Sequence, residues 1–173
     1  MILPIVEYPD KRLKQQSLPV ENFDDKLHQL LDNMYETMLV SNGIGLAAIQ
    51  VNVAKQVLIL NIPDEDDKQT EETLIEMINP KIITKEGTTS YQEGCLSVPS
   101  FYEEVERYET ITVVYQDRTG EQKELFANEL LSIAIQHEID HLLGILFIDK
   151  LSYSRRKKFE KEYKRLQKEK KRG

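Results

Sequence analysis

The chain has 173 residues, 40% of them apolar and 31% charged, proportions that suit one soluble domain with its own core. No apolar run is long enough to cross a membrane and no secretory leader opens the chain. A lone cysteine excludes an internal disulfide, so a reducing cytoplasm is the expected location. The net charge of −7 is uneven: residues 150–173 carry twelve Lys or Arg against three Glu, a surplus of nine, which leaves the rest of the chain at −16.

Residues 24–41 read as an amphipathic helix, because Leu27, Leu30, Leu31, Met34 and Met38 recur at helical spacing and Asp24 and Asp25 sit at its positive end. Gly43 and Gly45 break that pattern and open a turn. Residues 55–61 have the composition of a buried strand, and 62–72 are polar and acidic, as expected of an exposed loop. Residues 74–84 have strand character interrupted at Asn79-Pro80. Residues 110–117 form a strand, followed by a hairpin turn at Arg118-Thr119-Gly120 and a further strand. Residues 128–143 read as a helix apolar on most sides, hence buried, with Gly144 as its stop. Residues 152–171 make a last, basic helix whose sparse apolar positions, Phe159, Tyr163 and Leu166, fall on one side. Without a repeat or linker, the expectation is one domain over 1–173, with 152–171 as a helical extension.

Chemistry concentrates in His137-Glu138-Ile139-Asp140-His141. Positions four apart on a helix share a face, so the two imidazoles can grip one metal ion. Glu138 projects about 100° away from His137, beside the ion rather than on it, where a general base belongs. The bland alternative is a surface helix with an ion pair or two. A catalytic site of this kind needs a third protein ligand. The remaining histidine, His28, falls on a polar position of the first helix and reads as solvent-facing. Cys95 is the other candidate, although an isolated cysteine is more often a small core hydrophobe. Its neighbour Gly94 lets the backbone approach something closely. The segment from Gly43 also matches a dinucleotide fingerprint, but a helix rather than a strand precedes it, which disfavours that reading.

Gly43-Ile44-Gly45-Leu46-Ala47-Ala48-Ile49-Gln50, then Glu93-Gly94-Cys95-Leu96-Ser97, then Gln136-His137-Glu138-Ile139-Asp140-His141 closely resemble the three signature segments of the peptide deformylase family, in order and in separation. With the elements above, the resemblance implies an α+β fold: antiparallel β-sheets packed around a central buried helix carrying HExxH, with an N-terminal helix and a C-terminal basic helix. It implies that Cys95, His137 and His141 hold one divalent metal with a bound water, Fe(II) physiologically, with Zn, Ni or Co able to substitute. Glu138 is then the proton carrier, and the Gln50 side chain and the Leu96 N–H are the donors to the developing oxyanion. The implied substrate is the formyl-methionine of a nascent polypeptide. Ile44, Tyr91, Leu130, Ile133 and Ala134 match the pocket for its side chain, and backbone beside Gly45 and Gly94 can pair with an extended peptide. Glu93 and Arg107 match a carboxylate–guanidinium pair that steadies the cysteine loop. Leu143, where a polar residue is common in the family, and the long acidic stretch from Asp64 to Glu72 are departures. The basic helix suggests docking on ribosomal RNA phosphate, against the plainer reading of a solvated helix. Two rivals remain: a small zinc endopeptidase, which needs a downstream ligand such as Glu160 or Glu162, and a metal-stabilised ribosome-binding module without catalysis.

Overall fold

The computed structural model describes residues 1–172. The first helix, α1 (Asp25–Val40), starts where Asp24 accepts a hydrogen bond from the Leu27 N–H, which satisfies one of the free donors of a helix start. Strands β1 (Gly45–Ala47), β2 (Val57–Leu60) and β3 (Ile75–Glu86) follow. A hairpin of β4 (Thr89–Cys95) and β5 (Val98–Arg107) comes next, then β6 (Thr110–Gln116), β7 (Gln122–Ala127), α2 (Glu129–Leu142) and α3 (Tyr153–Arg172). Five strands make one antiparallel sheet in the order β1-β2-β3-β6-β7, while β4 and β5 form a separate two-stranded sheet.

Helices cover both faces of the five-stranded sheet. Leu27, Leu31, Met34 and Met38 of α1 pack with Leu46, Val57, Ile59 and Ile78. Alternate residues point the other way, so Ala47, Leu58, Leu60 and Met77 pack with Ala134, Ile135 and Leu142 of α2. This explains why β2 reads as a continuous apolar run: every one of its residues is buried, on one face or the other.

Asn79-Pro80 does not break β3. Asn79 takes a left-handed backbone (φ 52°) and the register shifts between Ile78 and Lys81, so the pair forms a bulge and the strand runs on to Glu86. The Asn79 side chain explains the tolerance: it accepts from the Val20 N–H and donates to the Val20 carbonyl and Gln116. Gly144, at φ 78°, ends α2 as expected.

The basic helix α3 is anchored rather than free. Phe159 is 1% exposed and packs with Val6, Leu13, Val105 and Phe147. Its ring lies 4.8 Å from Phe101 and 5.5 Å from Tyr8, and the Tyr163 hydroxyl donates to the Tyr8 carbonyl. Burying one such aromatic is worth about 1.5–3 kcal/mol. Among the described residues, no helix is long and apolar enough to cross a membrane.

Candidate active site

Helix α2 sets His137 and His141 one turn apart on a buried face, with ring centroids 5.0 Å apart. Cys95 arrives from the opposite side at the end of β4. The β4–β5 register shifts between Glu93 and Cys95, and the chain turns so tightly that Cys95 pairs with Val98. Glycine is required at 94: a Cβ there would lie 2.5 Å from the Tyr102 ring. The turn delivers the Cys95 sulfur to 3.4 Å from His141 Nε2, and the two imidazole Nε2 atoms stand 3.3 Å apart. All three donor atoms lie within 4.8 Å of one another.

This donor set fits a metal ion. Two imidazole nitrogens bonded tetrahedrally to one ion at about 2.05 Å stand about 3.3 Å apart, and the observed separation is 3.3 Å. The hydrogen-bond pattern also leaves the correct nitrogen free. Glu93 Oε1 accepts from His137 Nδ1 at 2.8 Å, which turns Nε2 toward the cluster. Burial, then the neighbouring His137 and Arg107 charges, hold the His141 pKa well below its ordinary value, which keeps that ring a neutral ligand. His137 goes the other way: burial works against its charge, but Glu138, Cys95 and Glu93 together raise its pKa well above 6.5.

Glu93 is itself held by Arg107, whose Nε and Nη2 donate to the two carboxylate oxygens at 2.7 and 2.8 Å. The third arm of the guanidinium, Nη1, donates to Asp140 at 2.6 Å. Glu93 and Arg107 are both buried. Burial pushes the Glu93 carboxyl up, but the hydrogen bonds from Arg107 and His137 outweigh it and hold the pKa below 4.5. Glu138 lacks such relief. Its burial pushes the pKa up to about 7, only partly offset by the His137 charge, and Oε1 has no hydrogen-bond partner. That oxygen stands 4.0 Å from His141 Nε2, beside the donor cluster.

Gln50 is buried rather than a surface amide. Its Oε1 accepts from the Ala47 N–H at 3.0 Å, and its Nε2 donates to Ser97 Oγ at 3.0 Å and approaches the Cys95 sulfur at 3.6 Å. The donor cluster opens onto a cleft of about 480 Å³. Its walls are Ile44 and Gly45 on the β1 side, Tyr91, Gly94 and Leu96 on the hairpin, and Leu130, Ile133 and Ala134 on α2. Every residue expected from the sequence at the site thus meets at one place. His28 stays away, as expected, but it is half-buried: its Nε2 pairs with the Arg118 carbonyl at 2.7 Å, which corrects the purely solvent-facing reading. Glu160 and Glu162 of α3 pair with Arg156 and Arg165, so the downstream ligand of the endopeptidase reading is not at the cluster.

Three contributors escape the sequence reading. Ser97 takes the Gln50 amide, Asp140 takes the third arm of Arg107, and Tyr102 seals Gly94 and lines the cleft. Ser97 and Asp140 stand inside the quoted motifs, and that position is their available signal. Tyr102 has none, since only the hairpin brings it over Gly94.

Residues 2–157 match the family model described as polypeptide deformylase. A peptide deformylase of Helicobacter pylori (strain P12) is 58% identical over 171 residues, which covers 99% of this chain and 98% of that protein. The crystal structure of a peptide deformylase from Legionella pneumophila superposes with a TM-score of 0.87 at 38% identity, covering 96% and 98% of the two chains. The Met-Ala-Ser-bound crystal structure of a class I type b peptide deformylase from Acinetobacter baumannii gives 0.81 at 35% identity, over 87% and 99%.

Proposed function

The chain belongs to the polypeptide deformylase family, hydrolases that remove the formyl group from the N-terminal formyl-methionine of new polypeptides, and we propose that it does so with Cys95, His137 and His141 holding one divalent metal ion and Glu138 moving the proton. The observation that carries this assignment is the meeting of the three donor atoms within 4.8 Å of one another, with the unpartnered Glu138 oxygen beside them. A thiolate with two neutral imidazoles suits Fe(II) and Zn, with Ni or Co as substitutes, and we assign Fe(II) as the physiological ion. When bound, such an ion supplies a Lewis acid at the formyl carbonyl and makes water acidic enough to attack near neutral pH.

The residues then do the following work. The cleft wall of Leu130, Ile133 and Ala134, with Ile44 and Tyr91 facing it, takes the long apolar methionine side chain. Backbone at Gly45 and Gly94 pairs with the extended peptide and brings the formyl carbon to the donor cluster. Glu138 Oε1 takes a proton from the attacking water, whose oxygen bonds to the formyl carbon. As the carbon–nitrogen bond breaks, the same proton passes to the leaving amine, giving formate and a free N-terminal methionine. Negative charge on the carbonyl oxygen is met by the Gln50 amide and the Leu96 N–H. Ser97 and the Ala47 N–H hold the Gln50 amide in place. Glu93, fixed by Arg107, orients His137.

The test compares formyl-Met-Ala-Ser, acetyl-Met-Ala-Ser and a folded protein as substrates for the metal-loaded enzyme. Formate release from the first alone is expected; equal cleavage of the acetyl peptide, or internal cuts in the protein, would overturn the assignment.

We place the enzyme in the cytoplasm and treat 1–173 as one catalytic domain with 152–171 as its helical extension. Phosphate of ribosomal RNA is the assigned partner of α3, whose exposed Lys157, Lys161, Lys164 and Lys168 face solvent. Removing the helix would uncover Phe159, so charge reversal is the better test. Lys161→Glu/Lys164→Glu/Lys168→Glu should weaken ribosome binding at low salt while leaving peptide turnover unchanged. Undiminished binding would dismiss the partner.

A further inference from the structure

The long acidic loop between β2 and β3 does more than connect strands. One of its residues, Gln69, is half-buried among exposed neighbours, and its amide nitrogen donates twice: to the Asn61 carbonyl at 2.7 Å and to the Gly43 carbonyl at 2.9 Å. Gly43 begins the wall of the cleft that continues through Ile44 and Gly45. Asn61 directly follows β2, the strand paired with that wall.

The position of those two carbonyls matters because β1 is an edge strand only three residues long. The Asn61 N–H donates to the Ile44 carbonyl at 2.8 Å, and Leu46 pairs with Ile59. In an antiparallel ladder, backbone groups alternate in direction. The N–H and C=O of Gly45 therefore turn away from β2, towards the open edge of the sheet, where an extended peptide can add as a further strand.

This edge is built from residues that cannot stiffen themselves. Gly43 and Gly45 are both closely approached: a Cβ at 43 would lie 2.8 Å from Leu96 Cδ1, and one at 45 would lie 2.6 Å from Glu138 Oε2, so a side chain at either would displace its neighbour. Glycine backbone is the most conformationally free of any residue. Something outside the strand must fix it. The Gln69 amide spans the strand ends as one extra rung beyond the last backbone pair. The loop that carries it is itself ordered: Asp64 accepts from the Asp66 and Lys68 N–H groups, and buried Asn61 donates to the Thr70 carbonyl and accepts from Thr73.

We propose that Gln69 is a positioning residue for substrate: its side-chain amide clamps the Gly43 and Asn61 carbonyls and so holds the Gly45 backbone where the peptide after the methionine pairs with it. This deepens the deformylase reading and rests on it. Gln69 touches neither the donor cluster nor the scissile bond, so it governs peptide binding and not the chemical step.

The experiment compares wild type with Gln69→Glu, which keeps the size of the side chain but cannot donate, and with Gln69→Ala. Each is assayed on formyl-Met-amide and on formyl-Met-Ala-Ser. Loss of two neutral hydrogen bonds is expected to raise KM for the tripeptide roughly five- to tenfold, with kcat within about twofold and formyl-Met-amide little affected. Amide hydrogen exchange gives a readout apart from activity: the Asn61 N–H, which donates to the Ile44 carbonyl beside the clamp, should exchange faster in both variants, while amides in the middle of α2 stay protected. An unchanged tripeptide KM in Gln69→Glu, or unchanged Asn61 exchange, would overturn the proposal, as would an equal loss on both substrates. If wild type itself fails to release formate, the deformylase reading fails instead, and the exchange experiment still decides whether Gln69 fixes the strand edge.

Discussion

Replacing Arg107 by Met tests whether the buried ion cluster behind the donor site holds it in shape. Met keeps the aliphatic stem and removes the guanidinium. The Arg107 side chain is 3% exposed and that of Glu93 4%, so solvent cannot compensate either charge. Three charge-assisted hydrogen bonds disappear, at 2.7, 2.8 and 2.6 Å. Glu93 is left with His137 alone, and Asp140 with the more distant Lys150 at 3.7 Å. Breaking one partner of a buried pair costs about 3–5 kcal/mol, because a charge is stranded. For a chain of this size, 1 kcal/mol moves the melting temperature by about 2–4 °C, so a drop of about 6–20 °C is expected. Metal affinity should fall roughly 10- to 100-fold, since the carboxylate that orients His137 loses its own support. Circular dichroism melts of the metal-saturated protein and metal analysis after dialysis give the two readouts. The double variant Glu93→Gln/Arg107→Met removes the stranded charge while leaving an oxygen for His137 Nδ1, and it should melt higher than Arg107→Met alone. If Arg107→Met costs under about 1 kcal/mol, the range of an exposed pair, or if the double variant melts lower, the cluster does not act as a buried support.

Three further outcomes are expected. Glu138→Ala should retain metal but lose roughly 10²–10⁴ in kcat; near-normal turnover in a formate-release assay would remove Glu138 as the proton carrier. Cys95→Ser should weaken metal retention in dialysis, and a full equivalent bound as tightly as in wild type would show that the sulfur is not a ligand. Gly45→Ala puts a Cβ 2.6 Å from Glu138 Oε2, so either the strand or the carboxylate must move. A misplacement of this kind can cost about 10²-fold in rate, and kcat/KM for formyl-Met-Ala-Ser within twofold of wild type would refute the close fit.

The sequence was most legible where a periodic pattern and a burial demand coincide. The apolar recurrences on α1, the all-apolar run of β2 and the near-continuous apolar surface of α2 each follow from lying between layers, so pattern and place agree. Asn79-Pro80 misled because its resolution is distant: a side-chain amide reaching Val20 and Gln116 turns an apparent break into a bulge, and neither partner is a sequence neighbour. The hairpin of β4 and β5 was missed altogether as secondary structure. Many of its residues, such as Gln92, Ser100, Tyr102 and Glu104, are polar or exposed, because it forms its own two-stranded sheet rather than lying inside the main one. Burial does alternate along 101–107 of β5, but Glu103 and Arg107 take inward positions, so the residue types hide the period that marks a half-buried strand.

That hairpin also explains why the site residues were readable when their placement was not. The residue types at the donor cluster are dictated by chemistry, and two of the three ligands are fixed relative to each other by one helical turn. The third depends on a register shift at Gly94, where the Tyr102 ring fills the space a side chain would need. Tyr102 is 64% exposed, so core packing gives no reason for an aromatic there. Its role follows from covering Gly94 while lining the cleft, where a peptide in transit can meet the same ring. A single exposed side chain thus stands between the turn that carries Cys95 and the cleft proposed for the peptide.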